Sequence, residues 1–187
     1  MNIAMPLTAR AIPSDYRLRM PGPAAIPERV RAATALPILS HRGPEFRVIL
    51  DEVTRLMRGV LGTTQDVFVL GGSGTAGMEA ALINVLSSAD AVLVIENGQF
   101  GERFSSIAEG LPVQLDRLQI PWGEVPDAAM IAQRVKAKAY RAVVVVHNES
   151  ATGVVADLAA IGAVSVGACL ALVRGRELEQ PSAAMAV

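Results

Sequence analysis

Lysine, histidine and cysteine are scarce in this chain. Its 187 residues hold two lysines, Lys136 and Lys138, two histidines, His41 and His147, and one cysteine, Cys169. A single cysteine permits no internal disulfide, so a reducing, cytoplasmic compartment is expected. Cys169 stands in an apolar run with no histidine near it in sequence, and reads as a small core residue rather than a nucleophile. No metal site is expected. There is also no excess of one charge: the formal net charge of −1 leaves no electrostatic footprint for nucleic acid. The longest uncharged run, Leu158 to Val173, covers sixteen residues. That is short of the ~20 needed to span a bilayer, and it reads as a helix leading into a buried strand, with no membrane partner. The N-terminus lacks an apolar signal core, and Pro6, Pro13, Pro21 and Pro23 break any helix there, so no export is expected.

Apolar material is plentiful. With 51% hydrophobic residues and a mean hydropathy of +0.38, the chain can fill the core of an α/β domain. Charge is unevenly spread: residues 1–60 carry nine arginines against five acids, and the remainder eight basic residues against thirteen acidic ones. This asymmetry favours contact between halves or between subunits over an external polyanion. Patterning predicts helices near 27–35, 45–61, 76–86, 101–109, 127–138 and 155–163, and strands near 67–70, 91–95, 112–118 and 142–146. Repeated β-then-α order means a mostly parallel sheet with helices on both faces. Neither an internal repeat nor a low-complexity linker is present. Pro121-Trp122-Gly123 is a turn, with Trp122 as a packing anchor.

The densest signal is Val67 to Gly77, VFVLGGSGTAG, followed at once by the apolar helix MEAALINVL. Glycines at 71, 72, 74 and 77 let the main chain approach an anion, and the first turn of the helix offers unpaired N–H groups and a positive dipole end. Phosphate binding is therefore the reading of this turn. Two cofactors compete for it. Gly72 to Gly77 matches GxGxxG, and Glu96 ends the next strand about twenty residues on, where a dinucleotide fold wants a ribose-binding acid. Against NAD, a long proline- and arginine-rich stretch precedes the first strand, whereas such a unit commonly opens its domain.

Two polar clusters at later strand ends also go beyond what a dinucleotide fold calls for. Glu96 to Arg103, ENGQFGER, follows AVLVI, and His147 to Gly153, HNESATG, follows the apolar run Ala142 to Val146. Loops at the carboxyl ends of parallel strands converge on one edge, so both clusters and the glycine turn line a single crevice. Phe100, between two glycines, suits stacking on a flat heterocycle and equally suits a buried loop anchor. His147 reads as a structural histidine, and it and Glu149 alternate with Asn148 and Ser150 in an extended segment.

PGPAAIPERV (21–30), HRGPEF (41–46), GGSGTAGMEAALINVL (71–86), NGQFGER (97–103), WGE (122–124) and HNESATG (147–153) occur in that order. The set resembles the large domain of class V aminotransferases, the alanine/serine–glyoxylate group of fold-type I pyridoxal-phosphate enzymes, over residues ~18 to ~164. The resemblance implies a homodimer that moves an amino group from an alanine- or serine-type donor to glyoxylate or a similar 2-oxo acid. It implies that Ser73, Gly74 and Thr75 hold the phosphate of pyridoxal 5′-phosphate, that Phe100 stacks on the pyridine ring, and that Ser150 hydrogen-bonds near its phenolic oxygen. In this reading Glu96 is merely the acidic end of a strand.

The sequence then departs from the family. Fold-type I enzymes place an aspartate against the pyridine nitrogen and, later, a lysine that forms the Schiff base. Here no aspartate follows Asp157 and no lysine follows Lys138. Gly167 to Val173, GACLALV, resembles the strand that should carry the aspartate, with Arg174 where the acid would stand. Beyond it the likeness ends. The expected organisation is an arm over 1–26, a partial cofactor-binding large domain over 27–174, a non-family tail over 175–187 and no small C-terminal domain, as in a truncated or frameshifted product. In the fold-type I sheet the strand 67–70 is separated from 142–146 by later strands, so here it is expected to lose its neighbours and leave the chain aggregation-prone. A dinucleotide-binding module and a non-catalytic fragment are the alternatives.

Overall fold

A computed structural model describes residues 17–20, 22, 24–165, 169–173 and 185–186. Most of the 1–26 arm, Arg174 and most of the 175–187 tail lie outside the described residues. Six helices and seven strands are described: α1 (Glu28–Thr34), α2 (Pro44–Leu61), α3 (Gly74–Val85), β1 (Ala91–Glu96), α4 (Gln99–Glu109), β2 (Gln114–Gln119), α5 (Ala128–Ala137), β3 (Ala142–Val146), β4 (Asn148–Glu149), β5 (Val154–Val155), α6 (Leu158–Val164), β6 (Cys169–Val173) and β7 (Met185–Ala186). Five of the strands form one parallel sheet in the order β2-β1-β3-β6-β7, and β4 pairs with β5 in a small antiparallel hairpin.

Central strands of a parallel sheet are covered on both faces, and the sequence shows it: β3 is AVVVV, buried at every position, and β1 is AVLVIE, buried from Val92 onward. Successive residues of each strand feed opposite layers. Val92, Val94, Val144 and Val146 pack with Met78, Leu82, Phe104 and Ala108 from α3 and α4. Leu93, Ile95, Val143 and Val145 pack with Ile131 of α5 and Leu158 and Ile161 of α6. The α/β class with helices on both faces is therefore what forms. GACLALV supplies β6, in register beside β3 from Ala142↔Cys169 to Val146↔Val173.

Helix boundaries follow local chemistry. Ser73, Asp127 and Asp157 each cap a helix, accepting from the N–H of Ala76, Ala129 and Ala160 at 3.2, 2.8 and 3.0 Å. Pro44 opens α2, and Gly62, at φ +64°, ends it in the left-handed conformation that glycine takes without strain.

One expected strand is absent. Residues 67–70 make no ladder; Phe68, Val69 and Leu70 are 82%, 59% and 66% exposed. A β-branched and aromatic run becomes a strand only where an edge receives it, and β6 rather than 67–70 lies beside β3. The expected burial of unpaired backbone groups does not arise either, because these residues face water. The amphipathic helix α2 likewise forms as expected but buries none of its residues among the described chain.

Candidate functional site

The carboxyl ends of β1, β2 and β3 define one edge of the sheet, and three sequence signals meet it. Arg141, just before β3, donates its Nε–H to the carbonyl of Val85 at 3.1 Å, which places the C-terminus of α3 at the opposite edge. A twelve-residue helix is about 18 Å long, close to the length of a six-residue strand, so α3 runs the height of the sheet and delivers Ser73, Gly74 and Thr75 to the carboxyl edge. All three are exposed. The Ser73 hydroxyl oxygen accepts from Ala76 and the Ser73 carbonyl from Gly77. The N–H groups of Gly74 and Thr75 have no partner among the described residues, and the Ser73 hydroxyl hydrogen is still available to donate. A Cβ on Gly71 or Gly74 would meet nothing within 4 Å. The turn is open to a ligand from solvent.

Helix α4 starts at the same edge, and its N-terminus is already filled. Glu149, fully buried, places Oε2 2.9 Å from the N–H of Phe100 and 3.4 Å from that of Gly101, while Oε1 accepts from Ala151 at 3.1 Å. A carboxylate from β4 thus takes the place of the missing cap, since Gly98 at the N-cap has no side chain to offer. Gly98 must stay bare: a Cβ there would lie 2.3 Å from Glu149 Cγ. Gly101 must too, because its Cβ would fall 2.7 Å from the carbonyl oxygen of Ile95. Of the two helix starts, only that of α3 is free for an anion. Phe100 is 38% exposed, and Ser150 is exposed in the turn next to Glu149. Phe100 is therefore not a buried loop anchor.

Glu96, the candidate ribose-binding acid, is turned away from such a role. It is 5% exposed, accepts from Gln119 Nε2 at 3.2 Å through Oε2, and faces Arg117 Nε at 3.5 Å through Oε1. Arg117 is itself shared with Glu109. An open groove of about 240 Å³ lies here, lined by Glu96, Glu102, Gln119, Ile120, Pro121 and Trp122. Its two carboxylates make it unsuited to a phosphate, and it lies on the β2 side of α4, away from the glycine turn. Trp122 is 55% exposed and donates its indole N–H to Glu102 at 3.0 Å, so it is a surface residue and not the packing anchor expected. Among the described residues no cluster of His, Cys, Asp or Glu has the makings of a metal site, and no helix is long and apolar enough to cross a membrane.

No family model matches the chain. Curated proteins do. A 147-residue stretch is 37% identical to a protein named soluble hydrogenase 42 kDa subunit from Anabaena cylindrica, covering 77% of this chain and 38% of that one. Over 152 residues the identity to L-aspartate–glyoxylate aminotransferase of Paracoccus denitrificans is also 37%, covering 79% and 38%. Serine– and alanine–glyoxylate aminotransferases are among the other relatives. A solved subgroup IV aspartate aminotransferase from Thermus thermophilus superposes with a TM-score of 0.79 at 31% identity, over 84% of this chain and 45% of that one. Glyoxylate aminotransferases are thus among its relatives, and fold-type I aminotransferases are its structural neighbours. The chain matches the N-terminal part of their large domain and spans under half the length of the relatives it matches.

The groups presented by these segments are the open amides of Gly74 and Thr75, the Ser73 hydroxyl, the part-exposed ring of Phe100 and the exposed Ser150. Neither lysine of the sequence is among these groups. Lys138 is bound to Asp116 at 2.9 Å, and Lys136 lies near the C-terminus of α5, at the sheet edge opposite the glycine turn. Sequence patterning gave no sign of Glu149, which caps α4 from β4.

Proposed function

We propose that residues 71–151 form the phosphate- and ring-binding half of a pyridoxal 5′-phosphate site, in a chain related to enzymes that transfer an amino group between an alanine- or serine-type donor and glyoxylate or a similar 2-oxo acid. The observation that carries the reading is the contrast between two helix starts at one edge: α4 is closed by Glu149, and α3 is open at Gly74 and Thr75. The phosphate takes the Gly74 and Thr75 amides and the hydroxyls of Ser73 and Thr75. Phe100 lies against the ring, and Ser150 donates to the phenolic oxygen. When bound, the cofactor supplies the electron sink for amino-group transfer. This chain's own residues bind and orient it; none of them moves the proton at the substrate carbon, because no lysine reaches the site.

The same reading extends to organisation. Residues 27–174 act as the large-domain part, flanked by the 1–26 arm and the 175–187 tail, in a cytoplasmic homodimer. Supporting the dimer are the uncovered apolar residues of α2, among them Ile49, Leu50, Val53 and Leu56, and the opposite charge of the two halves of the sequence.

The test uses purified chain with pyridoxal phosphate. Saturable binding that is weakened by Thr75→Val and by Phe100→Ala, together with no turnover of alanine and glyoxylate above free cofactor, is expected. Turnover well above free cofactor, or binding indifferent to both substitutions, refutes the reading.

A further inference from the structure

We propose that Glu149 is the positioning residue of the ring site, the carboxylate that ties the first turn of α4, bearing Phe100, to the turn bearing Ser150 and so fixes the stacking face relative to the hydroxyl. The proposal rests on the pyridoxal-phosphate reading and adds a residue to which that reading gives no role. Each oxygen of Glu149 serves a different segment. Oε2 holds the amides of Phe100 at 2.9 Å and Gly101 at 3.4 Å, and Oε1 holds that of Ala151 at 3.1 Å, next to Ser150. The side chain is fully buried, and all three donors are backbone groups that cannot move without moving the start of α4 or the turn at Ser150. Gly98 is compatible with this arrangement only as glycine, since a Cβ would lie 2.3 Å from Glu149 Cγ and 2.6 Å from Cδ. The hairpin adds its own fixings to the same residue: Thr152 and Gly153 donate to the Glu149 carbonyl at 3.2 and 2.7 Å. Glu149 therefore reaches the ring only through Phe100 and Ser150.

A positioning role and a merely structural one separate by probe. Inorganic phosphate reads the α3 turn alone, whereas pyridoxamine 5′-phosphate reads turn and ring together. In the full chain, Glu149→Gln is expected to leave phosphate affinity within about twofold while lowering pyridoxamine phosphate affinity about tenfold, the scale of a lost aromatic stacking contact. Phe100→Ala should produce the same selective loss, and the double variant little more, because the two residues act as a unit. Amide exchange at Phe100 and Ala151 should quicken in Glu149→Gln. Gly98→Ala, which pushes a methyl into the carboxylate, should repeat the selective loss and decides the matter if Glu149→Gln does not fold. Equal loss of both probes, or pyridoxamine phosphate binding that needs Phe100 but not Glu149, overturns the proposal while leaving the cofactor reading standing. A wild-type chain that binds phosphate but not pyridoxamine phosphate overturns the cofactor reading and the ring site with it.

Discussion

Gly101→Ala sets two opposing effects against each other at a position where the geometry decides the sign. Within a helix, alanine is favoured over glycine by about 0.5–1 kcal/mol, because glycine loses more backbone freedom on folding. At Gly101, however, the new methyl would sit 2.7 Å from the carbonyl oxygen of Ile95 and 2.9 Å from the Cα of Glu96. Both are backbone atoms of a central strand and neither swings aside. Restoring a 3.4 Å contact requires α4 to move by about 0.7 Å. Phe104 and Ala108, both fully or nearly fully buried against β1 and β3, resist that movement, as does the hydrogen bond from Phe100 to Glu149. Overpacking of this kind costs about 1–3 kcal/mol. The steric term outweighs propensity, leaving a net loss of about 1–2 kcal/mol and a fall in Tm of about 3–6 °C for a chain of this size. Gly59→Ala in α2 is the paired control, since nothing lies within 4 Å of its Cβ; it should hold or raise helicity. Circular dichroism melts of both variants make the measurement. A Gly101→Ala protein melting at or above wild type would refute the claim that α4 is held against β1 by bare glycine.

Three other outcomes are expected. Tyr140 donates to Asp116 at 2.7 Å and Lys138 at 2.9 Å, and these bonds, Tyr140's foremost, hold the Asp116 pKa below its usual value. A depressed carboxylate contributes stability that is present above its unfolded pKa of about 3.9 and is lost as pH falls below it. Burial, then the bond to Asp116, pushes the Tyr140 hydroxyl up to about 12, so its share is present below about pH 10 and is lost as pH climbs toward 12. Urea unfolding of Tyr140→Phe across pH should show a flatter alkaline limb, and an unchanged limb would sink the assignment. NADH should show no saturable fluorescence change with the chain, because Glu96 is already engaged by Gln119 and Arg117; micromolar binding abolished by Glu96→Ala would reverse this. Phe68→Ser should reduce light scattering on warming without altering the far-ultraviolet spectrum, since residue 68 is 82% exposed and makes no ladder. Loss of sheet signal would show that 67–70 is paired after all.

The two segments 67–70 and 91–95 show how far the sequence carries the fold. VFVL and AVLVI have the same β-branched, apolar character, yet the second is the buried heart of the sheet and the first is exposed coil. Burial of AVLVI is decided by what lies on either side of it, β2 and β3 as ladders and α4 and α5 as covers, and each of those neighbours has its own legible pattern nearby in the chain. VFVL has no such neighbour among the described residues, and strand propensity without an edge to receive it yields no strand. Helices were more legible because their signals are local. Ser73, Asp127 and Asp157 announce three of them, and Gly62 ends a fourth.

At the site the same distinction recurs. Gly74, Thr75, Phe100 and Ser150, the proposed cofactor contacts, each stand in a short motif whose chemistry is complete within a few residues. Glu149 acts across 49 residues of sequence on Phe100, and its alternation with Asn148 and Ser150 records only that the segment is extended. A trace of it did exist at the other end of the contact. Gln99 begins a helix whose N-cap, Gly98, has no side chain, so the amides of Phe100 and Gly101 required an acceptor from elsewhere. A helix start that lacks its own cap and carries glycine where a cap belongs is a request for a carboxylate or a ligand. The two glycine-rich starts here, Gly98 before α4 and the turn capped by Ser73 before α3, differ in how much of that need the chain itself meets. Glu149 answers the first. At the second, Ser73 satisfies Ala76 and leaves two amides facing solvent, which is why the anion site is argued for α3 and not for α4.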